Sequence, residues 1–174
     1  MKSQPSQHGN QITERLILIP YTIAICNAIL DADFSWLNKL NLKKGLSWPD
    51  ADVMETLPRI INNLTVVGHP TGFEAWMIIK ADTHEIIGDA GFKGFNQEQE
   101  SADLGYGIIK EERLKGYATE AASALIHWAF SHPQVKEITA SCLASNADSV
   151  KLLKKLNFTS VKQEDDMIHW YLRR

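Results

Sequence analysis

Cysteine is scarce in this chain: Cys26 and Cys142 are the only two thiols among 174 residues, and no CxxC spacing occurs. That excludes a disulfide framework or a cysteine-based zinc site and leaves both thiols as small core residues. Long apolar runs are missing too, none approaching the ~20 residues of a membrane-spanning helix. The polar opening MKSQPSQHGNQ has no secretory hydrophobic region. Residues 1–11 therefore read as a loose amino terminus, and the protein is expected in the cytoplasm with no membrane partner. An excess of one charge is also absent: the net charge is −3, which speaks against a general polyanion binder, so direct nucleic-acid binding is not expected. His69, His127, His132 and His169 show no HxxH or HxxxH spacing, so no metal site is expected.

What is present is an ordinary globular composition, 44% hydrophobic and 22% charged, in a chain long enough to bury a core without disulfides or metals. One domain is expected over residues 12–174. TERLILI, residues 13 to 19, reads as a strand closed by Pro20. Residues 22 to 64 are mostly helical in pattern, with Ser47-Trp48-Pro49 as a helix start and Pro58 expected to bend or split that helix. FEAWMIIK, IIGDAGF and DLGYGII follow as three short-linked, antiparallel strands, with ADTHE as the turn between the first two.

YATEAASALIHWAF, at 117 to 130, has Ala118, Ala121, Leu125 and Trp128 at helical spacing and is closed by Pro133. A strand (VKEITASCL), a helix (NADSVKLLKKLNF) and two strands (FTSVK, MIHWYLR) complete the order. The expected fold is a mixed α/β layer sandwich without internal repeats.

The stretch ERLKGYATEA places Arg113, Lys115 and Gly116 at the start of a helix, where cations are disfavoured by the helix dipole. The first-turn N–H groups of a helix lack intrahelical acceptors, so a phosphate fits there, and Gly116 would let the backbone approach it. From spacing alone, a solvated basic turn is the slightly better reading. The pattern is neither GxxxxGK[ST] nor GxGxxG. The preceding strand carries Gly105-Tyr106-Gly107, and glycine inside a strand marks a bulge or a close backbone approach.

RLKGYA at 113–118 resembles the R/Q-x-x-G-x-G/A pyrophosphate loop of the GCN5-related N-acetyltransferases (GNAT). With TERLIL, IIGDAGFKG, DLGYGII and NADSVKLLKKLNF, the chain is similar to the RimJ/RimL-like ribosomal-protein N-acetyltransferase subgroup from residue 12 onward, least between 21 and 72.

The resemblance implies a mixed, mostly antiparallel sheet with helices on both faces, a three-layer sandwich. Its fourth and fifth strands would splay to admit acetyl-CoA. It further implies that the N–H groups of Leu114, Lys115, Gly116, Tyr117 and Ala118, flanked by Arg113 and Thr119, hold the pyrophosphate. Tyr106, Gly107 and Ile108 would line the pantetheine arm. Leu114 departs from the glycine usual at its position.

The implied reaction is direct attack of an amine on the thioester, with the acetyl carbonyl polarised by a backbone N–H at a Gly105–Gly107 bulge. Asn146 would touch pantetheine or cap the last long helix. Ser149 would orient the thiol or protonate the thiolate, or else is a first-turn polar residue. The tyrosine acid of the wider superfamily is replaced by Leu153, and Asn157 replaces a usual glycine as a left-handed cap.

Asp103 is the candidate base, with a solvated strand-end charge as its alternative. His84 and Glu85 read as turn residues, and Trp36, Trp48 and Trp76 as core or acceptor-cleft residues. The implied function is acetyl-CoA-dependent transfer to a primary amine, a protein amino terminus or a small molecule, by a monomer or homodimer. A catalytically silent acyl-CoA sensor is the alternative.

Overall fold

A computed structural model describes residues 9–174. In chain order the elements are β1 (Gln11–Ile12), β2 (Leu16–Pro20), α1 (Ile23–Leu30), α2 (Trp36–Lys39), β3 (Lys43–Lys44), α3 (Ala51–Val67), β4 (Ala75–Lys80), β5 (Glu85–Asn96) and β6 (Ser101–Ile108). There follow α4 (Tyr117–Phe130), β7 (Glu137–Leu143), α5 (Ala147–Lys155), β8 (Thr159–Glu164) and β9 (Met167–Arg173). The strands form one sheet in the order β1-β2-β4-β5-β6-β7-β9-β8, with β3 pairing β5 in parallel. Apart from β3–β5, all neighbours are antiparallel except β6 and β7.

This is the mixed α/β sandwich that the sequence implies, with two short strands added. β1 and β3 have two residues each, too few to show a period. Of the expected loose segment 1–11, residues 1–8 lie outside the described residues, and Gln11 pairs with Leu18.

Helices cover both faces. Trp76, Ala90 and Tyr106 are cross-strand partners and so share a face. On that face Trp128 of α4 packs edge-on to Trp76 and stacks on Phe92. Asp89, one residue out of phase, points the other way, toward Tyr21, Cys26 and the start of α3. The buried residues of α1, α3, α4 and the sheet belong to one apolar cluster.

Two helix expectations need correction. α3 starts at Asp50, whose carboxylate accepts from the Val53 N–H at 3.0 Å, rather than at Ser47–Pro49. Pro58 lies inside an unbroken α3. It is exposed, whereas Val53, Leu57, Ile60 and Leu64 are buried. Burial of those four, about 1.5–3 kcal/mol each, outweighs the ~3 kcal/mol cost of an interior proline.

The carboxyl end of α5 closes as expected. Asn157 takes φ 66°, Phe158 N–H donates to Leu153 O at 3.0 Å and Asn157 N–H to Lys154 O at 3.0 Å. Buried Leu153 and Phe158 supply the apolar contact that accompanies this cap.

Candidate active site

The strands β6 and β7 run together from Ser101–Glu137 to Leu104–Ala140 and then part. Beyond that point β6 stays paired to β5, and β7 to β9. The result is a gap whose one edge is Gly105–Ile108. Ile109 N–H donates to Ile87 O on the β5 side at 2.9 Å. Because backbone groups alternate along a strand, the amides of Tyr106 and Ile108 point the other way, into the gap. Ile108 O agrees, accepting there from Arg113 Nε at 2.8 Å.

The expected bulge at Gly105–Gly107 is not where the sheet is irregular. Those residues pair in unbroken register with Asp89–Gly91, and the shift lies in β5 between Phe92 and Phe95. What frees the backbone of β6 is the departure of β7. A Cβ built on Gly105 or Gly107 would meet no atom within 4 Å. The missing side chains leave open space rather than relieve crowding.

At the end of β6 a 3-10 turn, Lys110–Glu112, leads into the loop before α4. Leu114 takes φ 61° and Gly116 φ 83°. The left-handed conformation is easy for Gly116 but costs Leu114 roughly 1–2 kcal/mol. Leu114 is 85% exposed, so packing does not repay that cost. Among the described residues, no N–H from Leu114 through Thr119 donates to a protein acceptor. Six consecutive amides therefore lie free at the positive end of α4.

The loop is tied to the far edge of the sheet. Glu120 accepts from Thr13 Oγ1 at 2.6 Å, Arg15 N–H at 2.8 Å and Arg15 Nε at 2.7 Å. Arg15 Nη1 donates to Lys115 O at 2.9 Å, and its guanidinium lies 4.5 Å from the Tyr117 ring centroid. Burial alone would raise the Glu120 carboxyl, but the bonds from Thr13 and Arg15 outweigh it and hold it below its usual value. Lys115 is not left as a lone cation: its Nζ lies 3.0 Å from Glu112, which also takes Lys80 at 3.4 Å.

Two cavities meet at the gap. One, of about 540 Å³, runs between the loop and α5, lined by Arg113, Leu114, Gly116, Tyr117, Ala118 and Thr119 and by Lys151 and Lys155. The other, of about 410 Å³, lies between β5–β6 and α3, and Asp89, Asp50, Asp52, Glu55 and Arg59 contribute to its wall. Tyr106, Gly107, Ile108, Asn146 and Ser149 line both.

Asn146 caps α5, its side-chain oxygen accepting from Ser149 N–H at 3.2 Å. Burial raises the Tyr106 hydroxyl, and Ser149 beside it opposes that rise.

Asp103 is elsewhere. It lies 2.8 Å from Lys93 Nζ, accepts from Thr139 Oγ1 at 2.9 Å, and faces a third cavity near His169 and Arg173. The reason is topological: Asp103 sits where β6 and β7 are still paired, so β7 shuts it off from the gap. Lys115 contributes to neither cavity wall. None of Trp36, Trp48 and Trp76 does either, and Trp76 Nε1 donates to Gly72 O at 2.9 Å within the core. His84 bonds Asn41 O in its turn.

Sequence reasoning missed two things. The Thr13–Arg15–Glu120 clasp spans more than a hundred residues and has no local signature. Asp89 had one: it is the lone charge within the apolar strand IIGDAGF, where a charged side chain is uncommon without a partner or a task.

The split parallel strand pair, the free amides at a helix start and the glycine-lined strand edge meet in one cleft. The model of the Acetyltransferase (GNAT) domain family matches residues 15–159, so the chain belongs to that family and is an N-acetyltransferase. It is 35% identical over 158 residues to the uncharacterized N-acetyltransferase YjdG of Bacillus subtilis strain 168, covering 91% of this chain and 94% of that one. It is 26% identical over 122 residues, 70% of this chain and 67% of the other, to the ribosomal-protein-serine acetyltransferase of Escherichia coli K12. In fold it is similar to RimL, the ribosomal L7/L12 alpha-N-protein acetyltransferase, in complex with coenzyme A. That match has TM-score 0.69 and 15% identity, with 94% and 97% of the chains covered. No helix among the described residues is long and apolar enough to cross a membrane.

Proposed function

We propose that the protein transfers the acetyl group of acetyl-CoA to a primary amine, by direct attack while both substrates are bound. The observation that carries this reading is the run of free amides from Leu114 through Thr119, opening onto the gap between β6 and β7. A pyrophosphate suits those amides, with Lys151 and Lys155 across the cavity for the outer phosphate charge. The pantetheine arm would lie along Tyr106–Ile108 in the place β7 has vacated. The thioester carbonyl would then accept from an amide that points into the gap, a donor held in place before the reaction begins.

Ser149, at the junction of the two cavities and beside Tyr106, is the proposed donor to the departing thiolate. The acceptor would enter through the cavity under α3, whose carboxylates suit an ammonium group. A protein α-amine is the favoured acceptor, since it ionises near 8 and a lysine amine near 10. The names of the ribosomal-protein relatives support the same class. We place the protein in the cytoplasm, with residues 12–174 working as one domain in a monomer or homodimer.

Two measurements test the proposal. Acetyl-CoA at a hundredfold excess over its Kd should stabilise the protein by about 2.7 kcal/mol. Thiol release from acetyl-CoA should then accelerate with a peptide bearing a free amino-terminal serine or with glycinamide, and not with the amino-acetylated peptide. Stabilisation without acceleration by any amine would make the chain an acyl-CoA sensor instead. No stabilisation at millimolar acetyl-CoA would remove both readings.

A further inference from the structure

The face of β5 that looks toward α1 and α3 carries a half-buried carboxylate, Asp89, one oxygen of which has no hydrogen-bond partner. Asp89 Oδ2 is enclosed and makes no hydrogen bond among the described residues, and the fully buried Tyr21 hydroxyl beside it makes none either. The two lie close enough to shift each other's titration, but not in good hydrogen-bonding geometry. An enclosed carboxylate oxygen without a hydrogen bond is costly.

Its position relative to the gap is specific. Asp89 is the cross-strand partner of Gly107, so both project from the same face of the sheet. Where a side chain at 107 would stand there is open space. Asp89 and Gly107 both line the cavity under α3, and Gly107 also lines the cavity that reaches the helix start. The empty position over Gly107 therefore connects the carboxylate to the strand edge where the thioester would lie.

We propose that Asp89 is the base of the reaction, taking a proton from the ammonium group of the acceptor held in the cavity under α3. This rests on the amine-acetylation reading above. The ammonium gives its first proton to the Asp89 carboxylate, and the neutral nitrogen attacks the acetyl carbon. The C–N bond forms, the C–S bond breaks as the Ser149 hydroxyl gives its proton to the thiolate, the second nitrogen-bound proton replaces it on Ser149, and Asp89 returns its proton to solvent. The balance is one ammonium and one thioester converted to one amide, one thiol and one released proton.

The charges around Asp89 suit this task. Burial pushes its carboxyl up to about 7, with Asp50 and Asp52 adding to the rise and Arg59 and the Tyr21 hydroxyl opposing it. Cys26, facing it from α1, is itself pushed to about 12 by burial and by Asp89, and so stays a neutral thiol. An aspartate of ordinary pKa near 4 would take a proton from an α-amine near 8 with an equilibrium constant of only ~10⁻⁴, whereas Asp89 comes within roughly tenfold of balance.

The test is steady-state thiol release from acetyl-CoA with the amino-terminal serine peptide and with glycinamide, across about pH 5.5–9. Wild type should show an acidic limb near 7 in kcat. Asp89→Asn should lower kcat by about 10²–10⁴ and abolish that limb while the acetyl-CoA thermal shift stays unchanged, and Asp89→Glu should restore part of the rate. Arg59→Gln, which removes the cation opposing the rise, should move the wild-type limb to higher pH without erasing it. An Asp89→Asn enzyme within about threefold of wild-type kcat and with the same limb overturns the proposal while leaving N-acetylation intact. A limb unmoved in Arg59→Gln also overturns it, even if Asp89→Asn fails to fold. Absence of turnover by wild type with either amine sinks the acetylation reading itself and the base with it.

Discussion

Asp89→Asn keeps the shape of the side chain and removes its ability to ionise, so it isolates what this half-buried charge does to stability. The Asp89 carboxyl titrates at about 7 in the folded chain against 3.8 for the free side chain. Between those values the folded state binds more protons than the unfolded state, and stability must therefore fall as pH rises. The Asp89 contribution is fully present below 3.8, declines through the window and is gone above about 7. The displacement corresponds to ~4 kcal/mol as an upper figure.

Asparagine has no such dependence. The mutant should gain on wild type by ~2–4 kcal/mol between about pH 4 and pH 8, whatever small offset its amide adds at low pH. Urea unfolding of both proteins without acetyl-CoA, at several pH values, measures the widening gap. A gap constant within about 0.5 kcal/mol across that range would refute the view that Asp89 is a desolvated, unpaired acid. A mutant that is more stable at neutral pH and less active is the signature of a group retained for function at the expense of stability.

Glu120→Gln should destabilise the protein by about 1–3 kcal/mol at neutral pH and weaken acetyl-CoA binding, because it breaks the clasp on the loop. Since the folded Glu120 carboxyl is held below 4.5, that contribution is present above 4.5 and lost as pH falls through the folded value, so acid unfolding of mutant and wild type should converge. Gly107→Val places a side chain in open space, so denaturant stability should change by less than about 1 kcal/mol while kcat/KM for acetyl-CoA falls at least about a hundredfold. Ser149→Ala should lower kcat more than it raises the acetyl-CoA Kd, and unchanged turnover would rule out its acid role.

The left-handed cap at Asn157 and the helix Tyr117–Phe130 could be read from the chain because each depends on a few contiguous residues. Asn157 suits its positive φ, while Gly116 and Pro133 bracket a run of helix formers. The hairpin turns and the free amides after Gly116 are legible for the same reason: the backbone conformation that creates them is local. The order of elements followed, and the family was legible in RLKGYA.

Tertiary structure alone decided which carboxylate lines the cavity under α3. Asp103 lies in the strand whose glycines pointed to a site, yet β7, more than thirty residues further along, pairs over it and withdraws before Gly107, the partner of Asp89. Half-buried Asp89 has its surroundings set by Tyr21 and, at the N-cap and along α3, by Asp50, Asp52 and Arg59, all distant from it in sequence, and Arg15 reaches Glu120 across 105 residues. Propensity and capping are carried by neighbours in sequence. Desolvation, charge pairing and the parting of two strands are set by neighbours in space, which the chain acquires only on folding.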